Sequence, residues 1–406
     1  MIENEELFTV TPEEFNKNVV VPSSKSYANR VIILASLCKE SVEIINLPLS
    51  HDVTNLIAAL RVVGLKILDI ENGIQVVNSF PECESDTDEI IEVFPGDGGT
   101  TTRFLIPFLA LGKKNYKIEP EGRMRERPIA DLLESLVDIG ATVSQCESWL
   151  TISGPISCSQ RMITADASKT TQHATALALS LSSQNVDVLP KDMNYSVSYW
   201  EMTKSLIRDF KQGSRRFVVP VDFSSMSYIL ALGADLGSVS ISNCTSVDQY
   251  QSDSVFLDIL KEMGCEISIS NEGLTLTREK EFLPIDMDCS NCPDLVPTLA
   301  FICSRTKGVS TLSNLSVLKY KESDRLVEIQ KLLDLYNIEN TYNEEDDLLT
   351  ISGNITRVSE SKNIFPPDDH RIVMASYLFL RANGGGELSS IESVSKSFNN
   401  FFEVVS

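Results

Sequence analysis

The sequence has little from which to build a metal centre. Its histidines are three, His51, His173 and His370, dispersed through 406 residues. Its nine cysteines are odd in number and follow no framework spacing, which excludes a disulfide scaffold and fits reduced thiols. The one close pair, Cys289 and Cys292, lacks the further ligands that zinc needs, so no metal site is expected. Long apolar runs are missing too. None approaches the roughly 18–20 residues that span a bilayer. The opening Met1–Glu6 is acidic, unlike a signal peptide. These absences point to a cytoplasmic protein with no membrane partner. Positive charge is in short supply: 35 Lys+Arg against 57 Asp+Glu leave a net −22. Such a surface argues against sequence-independent binding of nucleic acid, but not against a small anion in a locally basic cleft. The apolar content is an ordinary 42%, and the length suits two domains.

What is present is a repeated pattern. The run PSSKSYANR, from Pro22 to Arg30, leads into apolar Val31–Leu37. A helix start carries unpaired N–H groups and a positive partial charge, so two more cations there make sense if an anion is to be bound. Five further polar loops precede apolar runs: Gly96–Arg103, Asp166–Gln172, Asp222–Ser227, Ser290–Asp294 and Pro367–Arg371. Each reads as a cap on a helix that is apolar, and therefore buried, on every side. Amphipathic helices alternate with them: Val53–Gly64, Ile129–Gly140, Trp200–Phe210, Val255–Gly264, Arg325–Leu335 and one from Phe398. Strand pairs such as Leu65–Ile70 with Gly73–Val77, and Thr142–Ser144 with Trp149–Ile152, fill the gaps. Six copies of one α/β unit predict two pseudo-threefold domains of three repeats, with buried helices inside and sheets and outer helices around them. The chain is expected to cross between domains near Val19–Val21 and Val218–Val221. That gives residues 1–20 plus 221–406 as one domain and 21–220 as the other, with an anion-binding cleft between them.

Basic residues gather at the same loop–helix junctions: Lys25, Arg30, Arg103, the stretch Arg123–Arg127, Lys319–Arg325, Arg371 and Lys396. Taken singly, each has a plain reading as a solvated loop charge or an intrahelical ion pair. Holding together at equivalent positions of several repeats, they point to an anion site. Carboxylates accompany them. Asp294, just before a buried helix, reads as either an N-cap or a base, and Glu322 lies between Lys321 and Arg325. Asp52 and Asp253, each just before an amphipathic helix, read as caps.

Ten stretches in order, PSSKSYANR, GDGGTTTR, GRMRERPI, DASKTTQ, SVSYWEMT, DFSSMSY, CPD, KYKESDR, DDHR and SKSF, cover nearly the whole chain. With them the chain resembles the 5-enolpyruvylshikimate-3-phosphate synthase family of enolpyruvyl transferases. The resemblance implies a two-domain α/β fold of three βαβαββ-like units per domain around buried helices, an inside-out α/β barrel. It implies transfer of the enolpyruvyl group of phosphoenolpyruvate to the 5-hydroxyl of shikimate 3-phosphate, by addition and elimination, with no metal or organic cofactor. The partners it implies are those two small molecules, and the chain is expected to be a monomer.

Carried over by position, the catalytic residues are Asp294 as base, Glu322 as acid and Lys25. Shikimate 3-phosphate would be held by Lys25, Ser26, Arg30, Thr170, Thr171, Gln172, Ser196, Tyr199, Asp294 and Lys321. Phosphoenolpyruvate would meet Lys25, Asp97, Gly99, Arg123, Gln172, Arg325, His370, Arg371 and Lys396. Gly99 would leave room beside that substrate, so glyphosate is expected to compete with it. This chain departs from the family pattern at Ser23, Asp97, Thr170, Thr171 and Val317, which bears on affinity more than on reaction type. The related transferase that acts on UDP-N-acetylglucosamine places a Cys on the loop that here reads Glu121–Met124, and no Cys lies there. A non-catalytic phosphosugar-binding relative is the other reading, and the presence of Lys25, Asp294, Glu322 and Arg325 argues against it.

Overall fold

The computed structural model describes residues 7–84, 89–278 and 280–406. The acidic opening Met1–Glu6 lies outside them. In chain order the helices are α1 Lys25–Ser36, α2 His51–Val62, α3 Gly99–Leu109, α4 Ala130–Asp138, α5 Gln172–Leu181, α6 Val197–Lys211, α7 Phe223–Leu236, α8 Phe256–Glu262, α9 Val296–Ser304, α10 Arg325–Leu335, α11 His370–Ala382 and α12 Phe401–Val405. The chain divides into two compact units. One is Ser23–Pro220; the other joins the chain up to Pro22 with Val221–Ser406.

In the unit Ser23–Pro220, α1, α3 and α5 pack on one another. Burial runs from Ala28 to the end of α1, along α3 except at Thr100, and along α5 from His173. Helices apolar on all sides cannot face water, so they form the inside. Two four-stranded sheets surround them. One runs in the order Arg216–Val218, Val42–Ile45, Gly73–Val76, Ile67–Ile70, and the other Ile91–Val93, Asn115–Ile118, Leu150–Ser153, Thr142–Gln145. Each opens with a parallel pair and continues antiparallel. The third repeat has only a parallel pair, Met162–Asp166 with Asp187–Lys191.

The other unit repeats the plan. Helices α7, α9 and α11 pack on one another and are buried along their whole lengths. One sheet is ordered Phe15–Val19, Gly237–Ile241, Gly273–Arg278, Cys265–Ser270, the second Asp286–Asp288, Gly308–Ser313, Leu348–Gly353, Glu339–Asn343. Here too the third sheet is reduced, to Phe8–Val10 against Gly386–Leu388. The expected βαβαββ unit is thus complete in two repeats of each unit and truncated in the third. Among the described residues the sheets are separate and none closes on itself.

The repeat shows in the backbone as well. Gly64, Gly140, Gly213 and Gly264 take positive φ just after α2, α4, α6 and α8, and Asn337 does so after α10. This is the left-handed residue that ends a helix and satisfies its last carbonyls. Capping at the inner helices is less uniform than expected. Ser24 accepts from Tyr27 N at 3.3 Å, Asp222 from Ser225 N at 2.8 Å and Asp369 from Arg371 N at 3.0 Å. By contrast α3, α5 and α9 have no side-chain cap bond. The sixth outer helix begins at Phe401, not Phe398, because a 3-10 turn over Ile391–Lys396 comes first. Among the described residues no helix is long and apolar enough to cross a membrane.

Candidate active site

Asp294 sits in a single 3-10 turn, Pro293–Leu295, that leads into α9. It does not cap that helix. Its Oδ1 accepts from Lys321 Nζ at 3.0 Å and Arg325 Nη1 at 2.9 Å, and its Oδ2 from Arg371 Nη2 at 3.0 Å. Burial works against its charge, but Arg371, Lys321 and Arg325 outweigh that and the nearby Glu322, and hold the carboxyl well below the usual range. The side chain keeps 26% of its surface exposed, so the carboxylate is accessible.

Arg325 organises the group. Its side chain is 1% exposed. It clamps Asp369 through Nε (2.8 Å) and Nη2 (3.1 Å), and reaches Glu322 Oε2 at 2.6 Å as well as Asp294. Asp369 also accepts from Ser323 Oγ and from the Arg371 backbone N–H. Glu322 and Asp294, expected as acid and base, therefore bond to the same guanidinium. The i, i+3 pair from Glu322 to Arg325 is present, but it is one contact of four carboxylate contacts, not the whole account. Arg371 is buried, and its Nε and Nη1 have no hydrogen-bond partner among the described residues. A buried guanidinium with two open donors is prepared for an anion. His370 and Lys396 are buried at the start of α11 and at the end of the Ile391–Lys396 turn. Val317 is buried.

The unit Ser23–Pro220 carries a second group. Lys25 opens α1 and pairs with Asp52 at 3.0 Å. Asp52 was expected as a cap. It is 2% exposed in the first turn of α2, and Ser50 holds the capping position instead. A Cβ on Gly98 would lie 2.7 Å from Asp52 Oδ1, so glycine lets that loop close over the pair. Arg30 is 3% exposed. It donates to Thr203 Oγ1 (2.9 Å) and Ser26 O (2.7 Å) and lies 5.5 Å and 5.6 Å from the rings of Phe104 and Tyr199. No carboxylate of the described chain neutralises it, and burial lowers its pKa to about 10, still charged at neutral pH. Gln172 opens α5, accepts from Arg103 Nη1 at 2.7 Å and donates to Thr100 Oγ1 at 3.2 Å. Thr171 is buried beside it and Thr170 is half-buried. Ser196 has a left-handed backbone just before α6, which starts at Val197 rather than Trp200. Asp97 is half-buried, and Arg123 is exposed on the 3-10 turn Gly122–Arg125.

Gly99 corrects an expectation. The space a Cβ would fill is taken by the Arg127 guanidinium, 2.5–2.9 Å away, so no open room remains there. Arg103 and Arg127 were expected among the cations of an anion site but without a substrate role, and Asp52 and Asp369 were not expected there. Arg103 and Arg127 stood in the recognised motifs. Asp52 and Asp369 gave only a helix-start signal, since their partners lie far along the chain. Among the described residues no cluster of His, Cys, Asp and Glu could hold a metal.

His173 lies behind Gln172, 2% exposed, with Nε2 3.1 Å from Pro128 O, so that nitrogen carries the proton. Burial first, then Arg103, lowers its pKa to about 4. Between that value and the ~6.5 of an unfolded chain, the unfolded state binds the extra proton, so stability falls as pH drops through the window. The expected loss is up to about 3 kcal/mol on going from pH 7 to 4. Denaturant titrations should show it, and His173→Gln should remove that share of the slope.

A family model described as EPSP synthase (3-phosphoshikimate 1-carboxyvinyltransferase) matches residues 10–405. A 3-phosphoshikimate 1-carboxyvinyltransferase of Syntrophobacter fumaroxidans is 30% identical, covering 94% of this chain and 95% of its own. A protein of the same name from Methanoregula boonei is 29% identical, covering 96% of each chain. Among solved structures, an EPSP synthase from Acinetobacter baumannii has a TM-score of 0.76 at 19% identity, covering 98% of this chain and 97% of that one. The enolpyruvyl transferase NikO from Streptomyces tendae has a TM-score of 0.74 at 13% identity, covering 98% and 96%. At those identities the structural likeness speaks to the fold.

Proposed function

The chain belongs to the EPSP synthase family, and from that premise we infer that it transfers the enolpyruvyl group of phosphoenolpyruvate to the 5-hydroxyl of shikimate 3-phosphate, releasing phosphate, as a step of the shikimate pathway. We propose the following roles. Glu322 gives its proton to the methylene carbon of phosphoenolpyruvate. The 5-hydroxyl oxygen bonds to the adjacent carbon while Asp294 takes the hydroxyl proton. The tetrahedral adduct then returns a methyl proton to the Glu322 carboxylate as its C–O bond to phosphate breaks, restoring the enol ether, and the proton held by Asp294 leaves with the phosphate. Lys25 stabilises the charge on the leaving phosphate. Ser26, Arg30, Thr170, Thr171, Gln172, Ser196, Tyr199 and Lys321 hold shikimate 3-phosphate. Arg123, Arg325, Arg371 and Lys396 hold phosphoenolpyruvate, with Asp97, Gly99, Gln172 and His370 beside them.

One observation carries this reading: the proposed acid and base share one buried guanidinium, in a cluster where Lys321 and Arg371 also meet the base. Asp294 is a weak base while three cations hold it. Lys321 and Arg371 are also proposed ligands of the substrates. When they turn to a phosphate or carboxylate, Asp294 loses two of its three partners and its proton affinity rises. Binding thereby switches on the base.

Phosphate release measured with both substrates tests the reaction. Release with phosphoenolpyruvate and shikimate 3-phosphate is expected. Release only with UDP-N-acetylglucosamine as acceptor, or none with either, rejects it. We further propose that the chain works as a monomer in the cytoplasm, which sedimentation velocity and cell fractionation check.

A further inference from the structure

Asp253 lies in the 3-10 turn Ser252–Val255 that precedes α8. It was expected as a cap, and it is not one. Its carboxyl is 0% exposed. One oxygen, Oδ2, takes the hydroxyl of Ser224 on α7 in a short hydrogen bond. The other, Oδ1, is buried with no partner among the described residues. A carboxylate left half-satisfied inside a protein is costly, and the fold does not need one here: an asparagine would meet the same hydroxyl without the charge. The catalytic roles proposed above do not use it either.

The hydrogen-bond partner of Asp253 and the charges that act on it come from the starts of the inner helices, and Asp294 and Arg371 among them belong to the site. Asp222 and Ser224 come from the start of α7, Cys292 and Asp294 from the chain entering α9, and Arg371 from the start of α11. Arg371 is the residue with two open, buried donors and a single bond to Asp294.

We propose that Asp253 is a positioning residue for phosphoenolpyruvate: a buried carboxyl that acts through Arg371 and loosens its grip on the substrate anion when it is ionised. The proposal rests on the reading of Arg371 as a phosphoenolpyruvate ligand. With Asp253 neutral, the Arg371 guanidinium that turns from Asp294 to the substrate carries its full field to that anion. With Asp253 ionised, a second buried carboxylate draws on the same cation, and less of its field is left for the ligand. The change falls in a useful range. Burial, then the charge of Asp294, raises the Asp253 carboxyl to about 7, with Arg371 and Ser224 pulling the other way. No proton is consumed in the cycle; the group only sets the field.

The test is steady-state kinetics on the full chain from pH 5.5 to 8.5, with phosphoenolpyruvate varied at saturating shikimate 3-phosphate. Asp253→Asn is uncharged at every pH. The ratio of wild-type to variant KM cancels the titration of the substrates themselves. It should stay near 1 below pH 6 and rise roughly fivefold by pH 8.5, with the kcat ratio flat. Ser224→Ala removes a hydrogen bond that favours the anion, so it should move the rise to higher pH. A KM ratio that is flat with pH in a folded variant overturns the proposal, as does a fall in kcat by one factor at all pH values, the mark of a merely structural role. If Asp253→Asn melts early, the Ser224→Ala profile decides: a rise that stays where the wild type has it overturns the proposal. Wild-type enzyme without turnover overturns the functional reading as well, and normal turnover with a flat ratio overturns this inference alone.

Discussion

Replacing Asp294 by asparagine should lower kcat by about 10²–10⁴-fold, the range of a lost general base, while leaving KM for phosphoenolpyruvate unchanged or reduced. The split follows from the geometry. The carboxylate occupies Lys321, Arg325 and Arg371 at 2.9–3.0 Å. Removing its charge frees those cations for the substrate anions, so binding does not suffer. The amide cannot take the hydroxyl proton, so the chemical step does. Rate measurements over a phosphoenolpyruvate series would show it. A variant that keeps normal kcat would end the assignment of Asp294 as base. A variant with raised KM and intact kcat would recast it as a binding group. Asparagine is preferred to alanine because it preserves volume and can still accept from Arg325, so the fold is spared.

Replacing Arg325 by methionine should cost more stability than any other substitution in the site. The guanidinium is 1% exposed and bonds to Asp294, Glu322 and both oxygens of Asp369. Asp369 is itself fully buried. Methionine fills much of the volume but leaves buried carboxylate without a countercharge, which typically costs about 3–5 kcal/mol. The melting temperature should drop by on the order of 10 °C, and turnover should vanish with the positions of the proposed acid and base. The double change Arg325→Met with Asp369→Asn tests the cause. It removes the stranded charge, so it should recover part of the stability and none of the activity. A single variant as stable as the wild type would mean that water reaches Asp369 and the cluster is looser than the contacts imply.

These two results depend on features of different visibility in the sequence. The helix repeat was legible because it is written in local chemistry. Runs such as Phe223–Leu236 are apolar at every turn, which leaves no face for water, and Gly64, Gly140 and Gly264 end the outer helices where a left-handed residue is needed. The reduced third sheets were not legible, because a missing hairpin leaves no local mark; the strands it would have paired with still read as strands. The partners of Arg325 were half legible. Glu322 is three residues away on the same turn, and the pairing rule finds it. Asp369 is 44 residues on, and its capping pattern before α11 suggested a simpler duty, which it also performs.

By itself the sequence determined the six-part architecture, the polar loops that start each inner helix and the set of chemical groups at those loops, because caps, periodicity and glycine turns act over a few residues. Only the tertiary structure decided which of those charges neutralise one another. Lys25 meets Asp52, Arg127 fills the space over Gly99, and Asp253 takes the Ser224 hydroxyl instead of capping its own helix. The reason is that an ion pair depends on distance and burial, and both are set when elements well apart in the chain converge on one another, long after the local pattern has done its part.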